Sequence, residues 1–489
     1  MENRVKVRVR LAPSPTGEVH IGTIWIAHFA WLYARQHHGT FVLRIEDTDR
    51  QRLVPGSVDR IYEALDWYGL TPDEGPRQGG SYGPYVQSER LALYQQYAQQ
   101  LVEQGGAYYC FCSATRLDEL RQQQIAAKQA PRYDKRCATL DQAASASRVQ
   151  AGERHVIRLN VPTHGTITHH DLIRGPVTFA LDQIDDAVLL KSDGFPTYHL
   201  AVVVDDHLME IDPVIRAEEW LPSIPKHLLL YQAFGWAVPQ FAHLPLILGA
   251  DRSKLSKRHG ASSALSFRDQ GYLPEAMINF LTLMGWHPTG DQEILSPSEI
   301  LQQFRLEDIN PASAIFDRTK LDWLNGWYIR QLPLPALRQR LIPFWHYPTE
   351  PRVAAAWLEQ ALKLIQDRLK TLSEVDQLIN YVFPAVWDQE RNVFDTRLLI
   401  PKKGTGETTN HHLAMTAKWL AEYRGDWTAP ALKEAMLPAI AAAGKKNGEI
   451  LWPLRVALSL RTASPDVFDL LSLLGLAECQ RRVASFLSP

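Results

Sequence analysis

The sequence has few cysteines, no long apolar run and almost no net charge, and each of these absences excludes a class of protein. Four cysteines in 489 residues do not make the disulfide framework of a small secreted domain. No apolar stretch is long enough to cross a bilayer, and the start, "MENRVKVRVR", has no apolar signal region, so we expect a cytoplasmic protein without a membrane segment. A formal net charge of -2 argues against a protein that coats DNA, whereas RNA binding needs only a local basic surface.

The remaining composition is that of a globular protein, with 45% hydrophobic and 22% charged residues. This length is too great for one hydrophobic core and predicts roughly three to five domains. We find no internal repeat and no low-complexity segment.

Strand and helix patterns alternate at the start of the chain. "VKVRVRLA" alternates apolar and basic residues, which predicts a strand, and "TIWIAHFAWLYARQHHG" predicts a helix that is apolar nearly all round, with Gly39 capping its end. A second strand in "TFVLRIED" and a helix in "GSVDRIYEALDWYGL" follow. This order predicts a parallel α/β sheet.

Later segments have other patterns. From about Gly79 an insertion interrupts the sheet, strand and turn patterns return in "AVLLKSDGFPTYHLAVVVDD", and beyond about Ala261 the spacing is helical. "DTRLLIPKKGTGETTN" predicts a loop between two helical subdomains. The predicted domains are an α/β domain at 1–80 and 188–250, an insertion at 81–187, a helical connecting domain at 251–330, and helical subdomains at 331–390 and 391–489.

The joint "RLAPSPTGEVHIGT" connects the first strand to the first helix. Proline and glycine there let the backbone approach a ligand at the helix N-terminus, where free N–H groups and the helix dipole favour phosphate. His20 can donate to a phosphate oxygen, and Gly22 leaves room for a flat base. Taken alone, these residues are better explained by a structural turn with a surface histidine, because short motifs often match by chance.

A second candidate element is the loop "ADRSKLSKRHG". Lys254 and Lys257 follow an apolar strand and are suited to closing over a triphosphate, although a solvated basic loop has the same composition. Together the two elements resemble the "HIGH" and "KMSKS" signatures of class I aminoacyl-tRNA synthetases. Thr23 replaces the second histidine, and Leu255 and Arg258 replace the methionine and the final serine.

Longer stretches resemble, in order, those of bacterial glutamyl-tRNA synthetases. They are "RLAPSPTGEVHIGT", "LRIEDTDR", "YGPYVQSER", "PTYHLAVVVDDH", "VIRAEEW" and "KLSKRHG", and "GEILWPLRVALS" extends the similarity into the helical half. The resemblance implies a Rossmann-like parallel-sheet catalytic domain with an α+β insertion along the tRNA acceptor end. It also implies an all-α C-terminal half that reads the anticodon.

The same resemblance implies a ligase reaction in two steps: L-glutamate and ATP form glutamyl-adenylate, and the glutamyl group passes to the 3' end of tRNA(Glu). Whether tRNA(Gln) is also a substrate stays open. His20, Lys254 and Lys257 are the implied catalytic residues, with His20, Gly22 and Lys257 contacting ATP. Mg²⁺ is expected to enter bound to the phosphates. Members of this family activate glutamate only with tRNA bound, and we expect a monomer.

Selecting glutamate requires groups that bind carboxylates, for which the planar arginine fork is well suited. The resemblance places Arg10 and Arg216 at the carboxylates of glutamate and Glu46 at its ammonium group. Structural alternatives stay open for three residues: Arg10 continues a basic strand edge, Glu46 belongs to a charged cluster in "RIEDTDR", and Tyr198 fits an ordinary half-buried aromatic. The complete implied glutamate site is Arg10, Ala12, Ser14, Glu46, Tyr198 and Arg216.

Three of the cysteines, Cys110, Cys112 and Cys137, have suggestive positions. Some relatives bind zinc in this insertion through C-x-C and a later C-x-H. Here Thr139 holds the fourth place and is a poor ligand, so we expect no bound metal, with His155 as the alternative fourth ligand.

Basic residues of the insertion are candidate tRNA contacts, and a solvated helix face explains them equally well. They are Arg121, Lys128, Arg132, Lys135 and Arg136. In the helical half, Trp452 and Arg455 are candidates for contacts with anticodon bases. The stretch that contains them, "ILWPLRVAL", equally fits a helix start with a buried tryptophan.

Three other functions are compatible with parts of the sequence. A tRNA-modifying glutamyl transferase would lack the anticodon-binding half, and a glutaminyl enzyme would have β-barrels there. A catalytically silent RNA-binding paralogue would have no reason to retain His20, Gly22, Lys254 and Lys257.

Overall fold

The structure, a computed structural model, describes residues 6–256, 263–346 and 354–487. The chain forms two compact units, residues 1–267 with 274–318 and residues 268–273 with 319–489. No helix in the described ranges is long and apolar enough to span a bilayer.

The first unit is built on parallel strands. β1 (Arg8–Leu11) pairs in parallel with β2 (Thr40–Leu43), and β8 (Val214–Ala217) pairs in parallel with β9 (Phe241–Leu244). Arg8 and Asp212 exchange backbone hydrogen bonds and so join β1 to the segment that leads into β8. All four strands are almost completely buried, as expected for a parallel sheet covered on both faces, and the predicted α/β fold is confirmed.

Helix α1 (Ile21–Gln36) follows β1 and is buried on most of its surface, because its apolar residues leave no wide polar face. The prediction that Gly39 caps this helix is wrong. His37 is the C-cap, and His38 takes the left-handed conformation, with φ of 52°. Gly39 is required for another reason, since a Cβ atom there would lie 2.4 Å from the carbonyl oxygen of Val7.

The stretch predicted as strand and turn before Asp205 is largely helical. Strand β7 covers only Val188–Leu190, whereas α6 (Tyr198–Leu208) contains the whole run of valines. The run has no period-two alternation, and Leu200 through Asp206 are all buried. A short apolar run of this kind fits a buried strand or a buried helix, and periodicity alone does not distinguish them.

The insertion between these parts mixes helices with antiparallel strands. β3 (Ala107–Cys110), β4 (Val156–Leu159) and β7 form one antiparallel sheet in the order β3-β4-β7. β5 (Thr166–Asp171) and β6 (Gly175–Ala180) form a hairpin. The other helices and strands of this unit are α2 (Ser57–Trp67), α3 (Leu91–Glu103), α4 (Ala114–Ala126), α5 (Gln142–Gln150), α7 (Ile224–Phe234), β10 (Ile247–Leu248), α8 (Ala264–Asp269), α9 (Pro274–Gly285), α10 (Pro297–Gln303) and β11 (Ala314–Ile315).

The described part of the second unit contains helices and no strand, which confirms the predicted helical C-terminal half. The predicted loop near residue 400 is shorter than expected, because Thr405 caps a helix whose first residue is Gly406. The helices are α11 (Arg318–Gln331), α12 (Leu334–Leu341), α13 (Ala355–Lys363), α14 (Val375–Ile379), α15 (Pro384–Arg391), α16 (Gly406–Glu422), α17 (Ala429–Ala442), α18 (Asn447–Ser459), α19 (Val467–Leu474) and α20 (Leu476–Ala484).

Candidate active site

His20 stands at the start of α1 and acts as its N-cap. Its Nδ1 atom accepts a hydrogen bond of 3.0 Å from the backbone N–H of Gly22, so the neutral ring carries its hydrogen on Nε2. Nε2 lies 3.2 Å from the carbonyl oxygen of Leu255 and donates to it. Burial lowers the pKa of His20 below its usual value, so the ring is neutral at pH 7.

This hydrogen bond joins the helix start to the lysine-bearing loop. Leu255 is buried, while the exposed Lys254 beside it pairs with Glu219. Lys257 lies outside the described residues. The structure therefore brings His20 together with the first part of the "KLSKR" stretch.

Gly22 makes the cap of α1 compact. A Cβ atom at this position would lie 3.0 Å from Nδ1 of His20, closer than most real contacts of that kind. Glycine is thus compatible with the capping hydrogen bond, and a larger residue would push against the imidazole ring.

Arg10 belongs to a buried network of charges. Its Nε and Nη2 atoms donate to the two carboxylate oxygens of Asp206 at 2.9 and 3.1 Å, and its Nη1 donates to the carbonyl of Ile215 at 3.1 Å. Arg44 donates to Asp206 at 2.8 Å and to Glu46 at 3.0 Å. Two arginines and two carboxylates therefore compensate one another in the interior, as buried charges must.

The pKa values of the two acids in this network move in opposite directions. Burial raises the pKa of Glu46 in spite of the nearby Arg44 and Arg10. Burial also acts to raise the pKa of Asp206, but contacts with both arginines outweigh it and lower the value. Asp206 is therefore the more strongly stabilised carboxylate of the two. A further cation beside Glu46 would stabilise its ionised form.

Sequence reasoning missed Arg44, Asp205 and Asp206. Asp205 accepts from Arg90 at 2.7 Å and from Tyr94 at 2.8 Å, which links α6 to α3 and to the turn before it. The available signals were an arginine inside the apolar strand pattern "VLRI" and two acids directly after a run of valines, since charges there need buried partners.

Arg216 is buried on β8, and the groups that accept hydrogen bonds from it are all neutral. Its Nε donates to Nε2 of His243 at 3.0 Å, and its Nη1 donates to the Tyr198 hydroxyl at 3.0 Å and to Nδ1 of His227 at 3.3 Å. Its Nη2 donates weakly to the carbonyl of Trp220 at 3.4 Å. No described carboxylate forms an ion pair with Arg216, and burial lowers its pKa.

The remaining implied glutamate ligands have different environments. Tyr198 begins α6 and its ring packs against Trp220 with a centroid distance of 4.1 Å. Ser14 is exposed and Ala12 half-buried in the turn after β1. The structure brings Arg10 close to Arg216, because Arg10 donates to the carbonyl of the residue that precedes Arg216.

The three cysteines of the insertion converge on one point. The sulfur atoms of Cys110, Cys112 and Cys137 all lie within 4.8 Å of one another, and no other group of three His, Cys, Asp or Glu side chains in the described ranges is this compact. The Tyr133 hydroxyl lies 3.4 Å from two of the sulfurs. His155, the alternative fourth ligand, is outside this group and binds a backbone carbonyl.

The candidate basic residues of the insertion fall into two groups. Lys135 is tied to the buried Asp186 at 2.6 Å, which gives it a structural role, and Arg132 donates to the carbonyl of Asp182. The others, Arg121, Lys128 and Arg136, are exposed. In the second unit, Trp452 donates to the carbonyl of Leu398, and Arg455 to that of Thr462.

Comparisons with known proteins agree over nearly the whole chain. The family of class I tRNA synthetase catalytic domains (E and Q) matches residues 6–323, and an anticodon-binding domain family matches residues 336–487. The glutamate–tRNA ligase of Dehalococcoides mccartyi strain 195 is 47% identical, with 98% of this chain and 97% of that one covered. The enzyme of the same name from Moorella thermoacetica is 43% identical, with 96% of each chain covered.

Solved structures are similar to the same extent. The glutamate–tRNA synthetase of Elizabethkingia anophelis has a TM-score of 0.87 and 34% identity, with 99% of each chain covered. A glutamate tRNA ligase from Elizabethkingia meningosepticum, solved in complex with its amino acid, has a TM-score of 0.86 at the same identity and coverage. The chain therefore belongs to the glutamate–tRNA ligase family of class I aminoacyl-tRNA synthetases.

Proposed function

We propose that this chain activates L-glutamate with ATP and transfers the glutamyl group to the 3' end of tRNA(Glu). The observation that carries this proposal is Arg216, a buried guanidinium without a carboxylate partner among the described residues. An unpaired buried charge is costly, and a ligand carboxylate would remove that cost through charge-assisted hydrogen bonds. The side-chain carboxylate of glutamate is the ligand that such a site selects.

Arg10 and Glu46 would hold the other end of the amino acid. Arg10 uses three of its five N–H groups on Asp206 and Ile215, which leaves two for the α-carboxylate. Glu46 accepts from Arg44 through Oε1, and its other oxygen is available for the α-ammonium group. In this arrangement Asp206 sets the direction of Arg10 and compensates its charge.

ATP would bind at the start of α1. Free backbone N–H groups and the helix dipole favour phosphate there, and the Nε2–H of His20, now on the Leu255 carbonyl, would turn to a phosphate oxygen. Lys254 and Lys257 would approach from the loop and stabilise charge on the phosphates. Mg²⁺ belongs to this step as a companion of the ATP phosphates, because it prefers phosphate and water oxygens.

The reaction needs no protein nucleophile. A carboxylate oxygen of glutamate attacks the α-phosphorus of ATP, and pyrophosphate leaves. A ribose hydroxyl at the 3' end of the tRNA then attacks the acyl carbon, and AMP leaves. The protein's contribution is alignment of the reactants and stabilisation of developing charge, which together supply most of the rate enhancement in such sites.

The remaining part of the proposal concerns the tRNA. The helical second unit would read the anticodon and the insertion would lie along the acceptor end, with Arg121, Lys128 and Arg136 exposed for phosphate contacts. A helical half of this kind argues against a glutamyl transferase without an anticodon domain and against a glutaminyl enzyme with β-barrels. We expect a monomer, which sedimentation of the purified chain would measure.

The direct test is aminoacylation of purified tRNA(Glu) and tRNA(Gln) with radiolabelled glutamate or glutamine. We expect ATP-dependent glutamylation of tRNA(Glu) and no charging with glutamine. The tRNA(Gln) reaction measures the range of tRNA substrates. Pyrophosphate exchange should require tRNA; exchange without it would contradict that part of the proposal, and a chain that binds tRNA without charging it would reject the ligase function.

A further inference from the structure

Two buried hydrogen bonds in series, one between Asp171 and His243 and one between His243 and Nε of Arg216, hold the guanidinium in place. The register of the parallel strands β8 and β9 places Arg216 directly beside His243. Nε2 of His243 must accept, because the Nε–H of Arg216 only donates, and the distance is 3.0 Å. The hydrogen of the neutral ring is therefore on Nδ1, which donates to Oδ2 of Asp171 at 2.5 Å.

Asp171 is itself held by the backbone and is completely buried. Its Oδ1 atom accepts from the N–H groups of Ile173, Arg174 and His243 at 3.0, 3.1 and 3.2 Å. This side chain ends β5 and closes the turn of the β5–β6 hairpin. The carboxylate thus has a fixed orientation, with Oδ2 left for the imidazole.

The chain of contacts transmits both orientation and charge. Burial lowers the pKa of His243 to about 4, so the ring stays neutral and keeps an acceptor toward Arg216. Burial acts to raise the pKa of Asp171, but His243 and the backbone N–H groups outweigh it and lower the value. A protonated His243 would present a second donor to the guanidinium and push it away.

We propose that Asp171 and His243 are positioning residues: they fix the imidazole tautomer and, through it, the direction of the Arg216 fork toward the amino-acid carboxylate. The inference rests on the proposed role of Arg216 in binding glutamate. Neither residue touches the substrate. An Arg216 guanidinium that is already aligned loses less conformational entropy when the carboxylate binds. Loss of Asp171 or His243 should therefore weaken glutamate binding and reduce discrimination against glutamine.

Asp171→Asn is the decisive variant because it is isosteric. The amide oxygen can still accept the three backbone N–H groups, so its nitrogen takes the place of Oδ2 and donates to Nδ1 of His243. The imidazole must then carry its hydrogen on Nε2, which opposes the Nε–H of Arg216. The same exchange in a serine-protease triad leaves the geometry intact but gives the wrong tautomer.

Kinetics of tRNA(Glu) aminoacylation would test this. For Asp171→Asn we expect the KM for glutamate to rise about 10- to 100-fold, as for loss of other buried orienting groups, with the KM for ATP changed less than about 2-fold. His243→Leu should raise the KM for glutamate in the same way, because leucine has a similar side-chain volume but no acceptor for the Nε–H of Arg216. His243→Gln places an amide oxygen near the former Nε2 and should restore most of the glutamate affinity.

Two controls separate positioning from loss of structure. His28→Gln removes an equally buried neutral histidine, which binds Thr282 at 2.7 Å, and should leave the KM for glutamate unchanged. Thermal unfolding of each variant reports stability. If Asp171→Asn and His243→Leu unfold at lower temperature but keep the wild-type KM for glutamate, the two residues are structural and the inference is wrong.

Arg216→Gln distinguishes this failure from failure of the proposed role of Arg216 in binding glutamate. If it raises the KM for glutamate while Asp171→Asn and His243→Leu do not, Arg216 binds the substrate without needing these two residues. If Arg216→Gln leaves that KM unchanged, glutamate binds elsewhere, and both the proposed role of Arg216 and the positioning inference are overturned. If Asp171→Asn does not fold, the contrast between His243→Leu and His243→Gln decides in the same way.

Discussion

Replacing His20 by asparagine should separate its structural role from its chemical one. His20 caps α1 through Nδ1 and donates through Nε2, and the two atoms serve different partners. Asparagine is among the best N-cap residues, and its side-chain oxygen would accept from Gly22 N–H as Nδ1 does. It is too short to supply a donor at the position of Nε2.

The expected magnitudes follow from these two contacts. His20→Ala loses the cap and should destabilise the chain by about 1 kcal/mol, whereas His20→Asn should be close to wild type in thermal unfolding. Both variants lose the donor to the phosphates and should slow adenylate formation about 10²- to 10³-fold, the usual loss for one preorganised donor. Single-turnover adenylate formation with saturating tRNA measures the rate.

The contrast between the variants makes the reasoning refutable. If His20→Asn forms adenylate at the wild-type rate, Nε2 has no part in the chemistry and His20 is only a helix cap. If His20→Asn is as unstable as His20→Ala, the capping interpretation is wrong instead.

Three further outcomes are expected. Lys257→Ala should slow adenylate formation by about 10²- to 10³-fold, and an unchanged single-turnover rate would reject its assignment. Burial lowers the pKa of His28 to about 3, so between pH 6 and 4 the unfolded chain binds a proton that the folded chain does not, and stability falls as the pH falls. Wild type should therefore lose about 1.4 kcal/mol per pH unit more than His28→Gln over this range in denaturant titrations, and parallel curves would contradict it. Metal analysis of protein purified without chelator should find no stoichiometric zinc, because three cysteine sulfurs converge while Thr139, in the fourth place, is a poor zinc ligand. One zinc per chain, lost in Cys112→Ser, would show otherwise.

The fold can be predicted from the sequence wherever a pattern of apolar residues fits only one kind of secondary structure. The alternating strand before residue 11 and the helix from Ile21 were predicted because period two and an apolar helix pattern are distinct. The run of valines before Asp205 was not, because an apolar run of that length fits a strand or a buried helix. Only contacts with the rest of the unit decide between them.

The candidate site shows the same division. Motifs single out His20 and Arg216 as candidates from the sequence, whereas the partners that orient them come from distant segments. Asp206 reaches Arg10 across 196 positions, and Asp171 reaches His243 across 72. No local pattern marks such a pair, since each member alone is one more charged or polar residue beside an apolar run.

The ion pair of Arg10 with Asp206 has a consequence for the growing polypeptide. Arg10 and Arg44 leave the ribosome long before Asp206, and until then neither guanidinium has this anionic partner. The first strands therefore contain Arg10 without a carboxylate partner and Arg44 with Glu46 alone, which disfavours their early collapse. Completion of α6 supplies the missing charge, so the candidate amino-acid site and the strands around it should form in one late, concerted event during synthesis.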